Sequence, residues 1–269
     1  MKIGVIQGRL SAPVDGAYQE FPREWEKEFQ LIKECGLECV EWLVTTNSAL
    51  DNPLFKETDR VAKHPVSSVC LDVLINEKIT DQNFLNKHLV ATCEVIMKTR
   101  CLRNLTIPLL EESDMSDDVK RKLFCSLLKP IGRRFPEINF SFEAELHHKK
   151  LEEIVRLSNN FYVTYDTGNI TSCGFDHEEV IGFFGKRIIN VHIKDRTYEG
   201  VTVEPLTGDT NFNLIFKKLA FIKYQGPFIL QTARGDSGNE YQTVKKHQNI
   251  FKDLYEKHFL AINGGRSVW

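Results

Sequence analysis

The sequence predicts an α/β fold, a (β/α)8 TIM barrel. Three observations point there. Strand-like and helix-like stretches alternate eight times within 269 residues, which matches the unit count and length of such a barrel. No GxGxxG loop follows an early strand, which counts against the alternative, a doubly wound open sheet. No Pro/Gly/Ser-rich linker interrupts the alternation, so 1–269 reads as one domain, with 260–269 as a loose tail whose Trp269 could dock elsewhere.

Each unit has its own signal. Residues 2–7, KIGVIQ, are short, apolar and β-branched; Pro22 then opens a helical spacing of Trp25, Phe29 and Ile32 that Gly36 ends. LECVEWL (37–43) is the second strand, followed by a weakly patterned helix over 53–63. VSSVCLDV (66–73) is the third, and a helix over 81–98 places Leu85, Leu89, Cys93 and Ile96 on one face. LRNLTI (102–107) is the fourth, stopped by Pro108; Ser116 then caps a helix whose first turn holds Asp117 and Asp118, where the helix dipole favours them. The second half continues with strands at 138–144, 161–166, 187–194 and 227–232, and helices at 149–158, 176–184, 211–223 and 240–258.

The bulk numbers narrow the function. A net charge of −2 gives no basic field for nucleic acid or an acidic membrane, and no apolar run approaches the roughly 18–20 residues of a membrane span. The opening MKIGVIQGRLS lacks a long apolar core and a small-residue cleavage site, so it reads as the first strand and not a signal peptide. Seven cysteines, scattered and never spaced as CxxC, read as reduced thiols in a cytoplasmic protein. Assembly into a homo-oligomer is compatible with all of this.

Side chains in a barrel strand alternate between the outer helices and the interior. In the last four strands, Ile138, Phe140 and Phe142 oppose Asn139, Ser141 and Glu143; Phe161, Val163 and Tyr165 oppose Tyr162, Thr164 and Asp166; Ile189, Val191 and Ile193 oppose Asn190, His192 and Lys194; Phe228 and Leu230 oppose Ile229 and Gln231. Each inward side ends in a polar group at the C-terminal mouth, where barrels bind ligands. One strand-end carboxylate or histidine is commonly a solvated or capping residue. Four at equal depth on successive strands, Glu143, Asp166, His192 and Gln231, form a sulfur-free donor set suited to one divalent ion: manganese, magnesium, cobalt or zinc.

VTYDTGN (163–169), NVHIKDR (190–196) and GPFILQTAR (226–234), preceded by INFSFEAEL (138–146), resemble the xylose-isomerase-like TIM barrels. That superfamily includes sugar and sugar-phosphate isomerases and epimerases and related endonucleases. IGVIQGRLS and EFPREWEKEF are similar to one uncharacterised branch of it. The resemblance implies a metal held by Glu, Asp, His and Glu from the last four strands, which fall on Glu143, Asp166, His192 and, as a departure, Gln231. In the family's epimerases two glutamates exchange protons on opposite faces of the substrate. Gln cannot act as acid or base, although its amide oxygen can still coordinate an ion. The endonucleases use a histidine-rich set, whereas here Asn169 follows Asp166 and the third and fourth strands end in CLD and TIP, so no nucleic acid is expected.

The implied chemistry is proton abstraction next to a carbonyl, through an enediolate, on a small sugar or sugar phosphate. Glu143 is the expected base. A second proton carrier is sought among Glu145, Glu41 and Asp72. Lys194 faces inward toward an oxyanion or phosphate, while Asp195 and Arg196 support the site or form a loop salt bridge. Arg234 and Arg9 are candidates for a substrate carboxylate or phosphate, or surface residues. Trp42 is either an apolar wall for the sugar or core. The rival readings are a lyase removing water after the same abstraction and a ligand-binding barrel without catalysis. The loop GDTNF (208–212) rims the pocket without an assigned role.

Overall fold

A computed structural model describes residues 1–99 and 102–260. Eight parallel strands close into a barrel: β1 (Ile3–Ile6), β2 (Cys39–Leu43), β3 (Val66–Cys70), β4 (Asn104–Leu109), β5 (Asn139–Ala144), β6 (Phe161–Asp166), β7 (Ile188–Ile193) and β8 (Phe228–Leu230), with β8 pairing β1. All eight fall where the apolar, β-branched runs predict them. Cys101 and residues 261–269, including Trp269, lie outside the described residues. Among the described residues the six other cysteines are free, and no helix is long and apolar enough to cross a membrane.

Several boundaries differ, each for a local reason. β4 does not stop at Pro108 but runs to Leu109. Its neighbour β3 has already ended, with Cys70 paired to Thr106, so β4 is by then an edge on that side, the setting in which a strand tolerates proline. The helix Asp118–Arg134 is capped by Asp117, which accepts from Lys120 N, and not by Ser116, whose hydroxyl is held by Asp114. Residues 53–63 form two short helices, Pro53–Lys56 and Thr58–Val61. The helix Trp25–Cys35 does end at Gly36, in the left-handed conformation that favours glycine (φ 77°). Among the additional elements are a short helix, Thr167–Ser172, directly after β6, and a hairpin of Asp195–Arg196 with Thr202–Val203 after β7.

The main core lies between barrel and helices, built from outward residues such as Val40, Trp42, Phe140, Phe142, Phe161, Val163 and Val191. Inside the barrel the two halves differ. Ile6, Cys39, Leu43, Cys70 and Ile229 form a small apolar cluster on the β8–β1–β2–β3 side. The remaining interior is polar, with Glu41, Ser68, Thr106, Ser141, Thr164 and Asn190 all buried. Buried polar groups persist when they are hydrogen-bonded, and these bond one another across the barrel.

Candidate metal centre

Alternation along β5, β6 and β7 carries Glu143, Asp166 and His192 to the inner mouth of the barrel. One ligand atom from each lies within 4.8 Å of the others. All three side chains are buried, and His192 is fully enclosed. His192 Nδ1 is 3.2 Å from Glu143 Oε2 and 4.0 Å from Asp166 Oδ2. Gln231, just past β8, lines the same cavity as Glu143. His192 Nδ1 and Gln231 Oε1 are buried without a hydrogen-bond partner among the described residues, and Asp166 Oδ2 faces the Lys194 ammonium. Unpaired buried polar atoms carry a desolvation penalty, and two of ligand type beside the buried Glu143 and Asp166 carboxylates fit a bound cation.

Charge leads to the same fit. Glu41, Glu143 and Asp166 are buried carboxylates and Lys194 is a buried ammonium, which leaves an excess of two negative charges when His192 is neutral. Burial opposes protonation of His192, but Glu41 and Glu143 outweigh it and raise its pKa well above the usual range. Asp166 is pushed up by burial and pulled down further by Lys194 and His192, so it stays ionised. Lys194 Nζ lies 3.0 Å from Asp166 Oδ2. Burial lowers its proton affinity, but Asp166 and Glu143 more than restore it.

The supporting groups are specific. Asp166 Oδ1 caps the Thr167–Ser172 helix by accepting from Asn169 N. Asn169 Nδ2 in turn donates to Glu143 Oε1 at 3.1 Å, and its Oδ1 accepts from Arg196. Arg196 also pairs with Glu145 at 2.8 Å, the loop salt bridge the sequence offers as one role for it. Asp195 accepts from Gly208 N and Thr210 N, so it ties down the GDTNF loop.

Three expected roles are corrected. Glu41 does not face the cavity. Its Oε1 accepts from Ser68, Thr106 and Asn190, and its Oε2 sits 2.5 Å from His192 Nε2, so it underlies the site as a support for the imidazole. Trp42 is core: it points outward against Phe21, Trp25 and Phe29, and its indole N–H donates to Asn52. Arg9 and Arg234 do not line the cavity either, because both are committed to backbone carbonyls. Arg9 donates to Thr232 O and Tyr18 O; Arg234 donates to Tyr18 O, Ser11 O and Gly8 O, pinning the loop after β1. Gly8 has φ +91°, and a Cβ there would meet Glu20 O at 2.7 Å, so this pinned turn requires glycine.

The cavity above the cluster holds about 520 Å³. Besides Glu143, Lys194 and Gln231 it is lined by Asp72, Glu145, Asn169 and Arg196, and by Tyr18 and Gln19 from the pinned loop. Tyr18 and Gln19 carry no strand or helix pattern that would mark them in the sequence. Burial pushes the Asp72 carboxyl up to about 7 against the pull of its hydrogen bond from Gln19, and Glu143, Glu20 and Glu111 push the same way. A carboxyl raised in the folded state holds its proton more tightly there than in the unfolded chain. Its contribution to stability is therefore full below about pH 4 and lost as the pH rises toward 7. Denaturation of metal-stripped protein across pH 4–8 should show wild type losing stability relative to Asp72→Asn over that window; parallel curves would refute the shift.

No family model and no curated protein matches the sequence. Solved structures do match. An L-ribulose 3-epimerase superposes with a TM-score of 0.73 at 13% identity, covering 99% of both chains. The IolI protein, with a bound zinc atom, gives 0.70 at 15% identity over 96% of this chain and 99% of its own. D-allulose 3-epimerase from Methylomonas sp., in complex with D-allulose, gives 0.66 at 13% identity over 94% and 98%. At these identities the likeness establishes a common fold.

Proposed function

We propose that this chain, which has the xylose-isomerase-like barrel fold, is a metal-dependent sugar isomerase or epimerase acting by proton abstraction next to a carbonyl. The observation that carries the reading is the buried Glu143–Asp166–His192 cluster, with His192 Nδ1 left unpaired, at the floor of a polar cavity. A divalent ion bound there with Gln231 supplies Lewis acidity toward the carbonyl and hydroxyl oxygens of a sugar. Glu143, held at Oε1 by Asn169, takes the proton from the carbon beside the carbonyl. Lys194 is placed beside Asp166 to donate to a developing oxyanion. The epimerases of L-ribulose and D-allulose among the similar structures, and the zinc in IolI, support sugar and ion.

The cavity favours a free sugar over a sugar phosphate. Its lining cations are Lys194 and Arg196, and each already faces a carboxylate, Asp166 and Glu145. A phosphate would have to displace one of these pairs. Gln231, in place of a second glutamate, favours the lyase as the second reading, since loss of water needs no second carboxylate at that position.

Metal-stripped protein reloaded with Mn²⁺ should bind one ion per chain by calorimetry. In D₂O the loaded protein should wash deuterium into L-ribulose or D-allulose beside the carbonyl, with their phosphates poorer substrates. Loss of water with a new ultraviolet absorbance would select the lyase. An absence of both ion binding and exchange would leave a ligand-binding barrel.

A further inference from the structure

Building on the isomerase reading, we infer that Asp72 is the second proton carrier of this site, delivering a proton to the substrate from the β3 side of the cavity. Glu143 supplies one carboxylate, and epimerisation needs a second group that can give a proton to the other face of the same carbon. Within the cavity the candidates are few. Glu145 is paired with Arg196, and Lys194 with Asp166. Glu111 is exposed at the rim. Gln231 carries no titratable proton. The Tyr18 hydroxyl donates to Thr232 O, and burial pushes the Cys70 thiol well above its usual range. Asp72 remains, a half-buried carboxyl lining the cavity directly after β3.

Its placement suits the role. In the barrel order, β3 lies diametrically across from β7, the strand that carries His192, and two strands from β5, so Asp72 reaches the cavity from a different direction than Glu143. Asp72 Oδ1 accepts from Gln19 Nε2 at 3.0 Å, which leaves Oδ2 without a hydrogen bond among the described residues. Gln19 Oε1 accepts from Gln231 Nε2, also at 3.0 Å. The chain Asp72–Gln19–Gln231 is directional. An acceptor carboxylate at one end turns both amides, so Gln231 Oε1 is the atom left without a partner. The same relay therefore holds Asp72 in place and aims Gln231. A carboxyl that titrates near neutrality can both give and recover a proton at working pH.

The step balances. Glu143 takes the proton; the C–H electrons form a carbon–carbon double bond and the carbonyl oxygen takes the charge. The Asp72 O–H then gives its proton to the same carbon from the other face, the electrons return to the carbonyl, and the sugar leaves epimerised. The proton now on Glu143 and the charge on Asp72 are reset by exchange with water. No oxidant or reductant is involved.

Asp72→Asn keeps an acceptor for Gln19 and removes the proton. Mn²⁺-loaded wild type and variant would be incubated with L-ribulose and D-allulose in D₂O, following deuterium wash-in and epimer formation separately by NMR, with Mn²⁺ affinity and circular dichroism as controls on fold. The expected variant binds Mn²⁺ as wild type does, still washes deuterium in through Glu143, and forms epimer about 10²–10⁴-fold more slowly. Epimer formation at the wild-type rate, or equal loss of wash-in and epimer, overturns the assignment of Asp72 and leaves the isomerase reading standing. A wild type that neither exchanges nor epimerises overturns both.

Discussion

Glu143→Gln should lower proton exchange between a ketose and solvent by about 10²–10⁴-fold, measured as deuterium wash-in at saturating Mn²⁺. The orientation of the new amide follows from its neighbour. Asn169 donates to the Oε1 position, so the amide oxygen stays there and the NH₂ takes the Oε2 position, 3.2 Å from His192 Nδ1. The variant thus loses the base and also turns a donor toward the ligand cluster. Mn²⁺ affinity should fall in the same protein, and exchange should remain low after saturation restores occupancy. Wild-type exchange in this variant would remove Glu143 from the chemistry.

Glu41→Gln should weaken Mn²⁺ binding about 10–100-fold, although Glu41 itself lies below the ion site. Oε1 accepts from Ser68, Thr106 and Asn190, which fixes the amide oxygen at that position and directs the NH₂ to His192 Nε2. With an ion bound, Glu41 would accept the Nε2 proton, and Nδ1, having given up its own proton, would turn its lone pair to the ion. Facing an NH₂, the imidazole must offer its lone pair at Nε2 and carry its proton on Nδ1, the wrong tautomer for coordination. Calorimetry with Mn²⁺ and the visible spectrum of a Co²⁺-loaded protein read this directly, with circular dichroism to show that the barrel persists. Unchanged affinity would mean that Glu41 does not set the tautomer.

The barrel and the ligand strands were legible because two signals coincide in the second half. Phe140, Phe142, Val163 and Val191 mark the outward side, while Ser141, Thr164 and Asn190 mark the inward side, so the last inward residues Glu143, Asp166 and His192 are placed by counting. The same counting on β2 puts Val40 and Trp42 outside and Glu41 inside. Leaving Trp42 open as a sugar wall as well as core, and Glu41 among the proton carriers, weighed residue type over register. Arg9 and Arg234 show a different limit. A guanidinium near a strand end looks the same in sequence whether it meets a substrate or a carbonyl, and one partner of Arg234 is Tyr18, 216 residues away. Gln19 was unreadable for the same reason: its place depends on where that distant arginine pins the loop.

The polar interior makes floor and mouth unequal partners in future change. The rim turn 198–201 hangs on bonds within its own loop and can be rewritten to fit another sugar at small cost to the barrel. Below it, one oxygen of Glu41 gathers hydrogen bonds from β3, β4 and β7 at once. Any new side chain at that spot must satisfy three strands together, so this protein is free to alter what it recognises long before it can relocate the centre on which recognition converges.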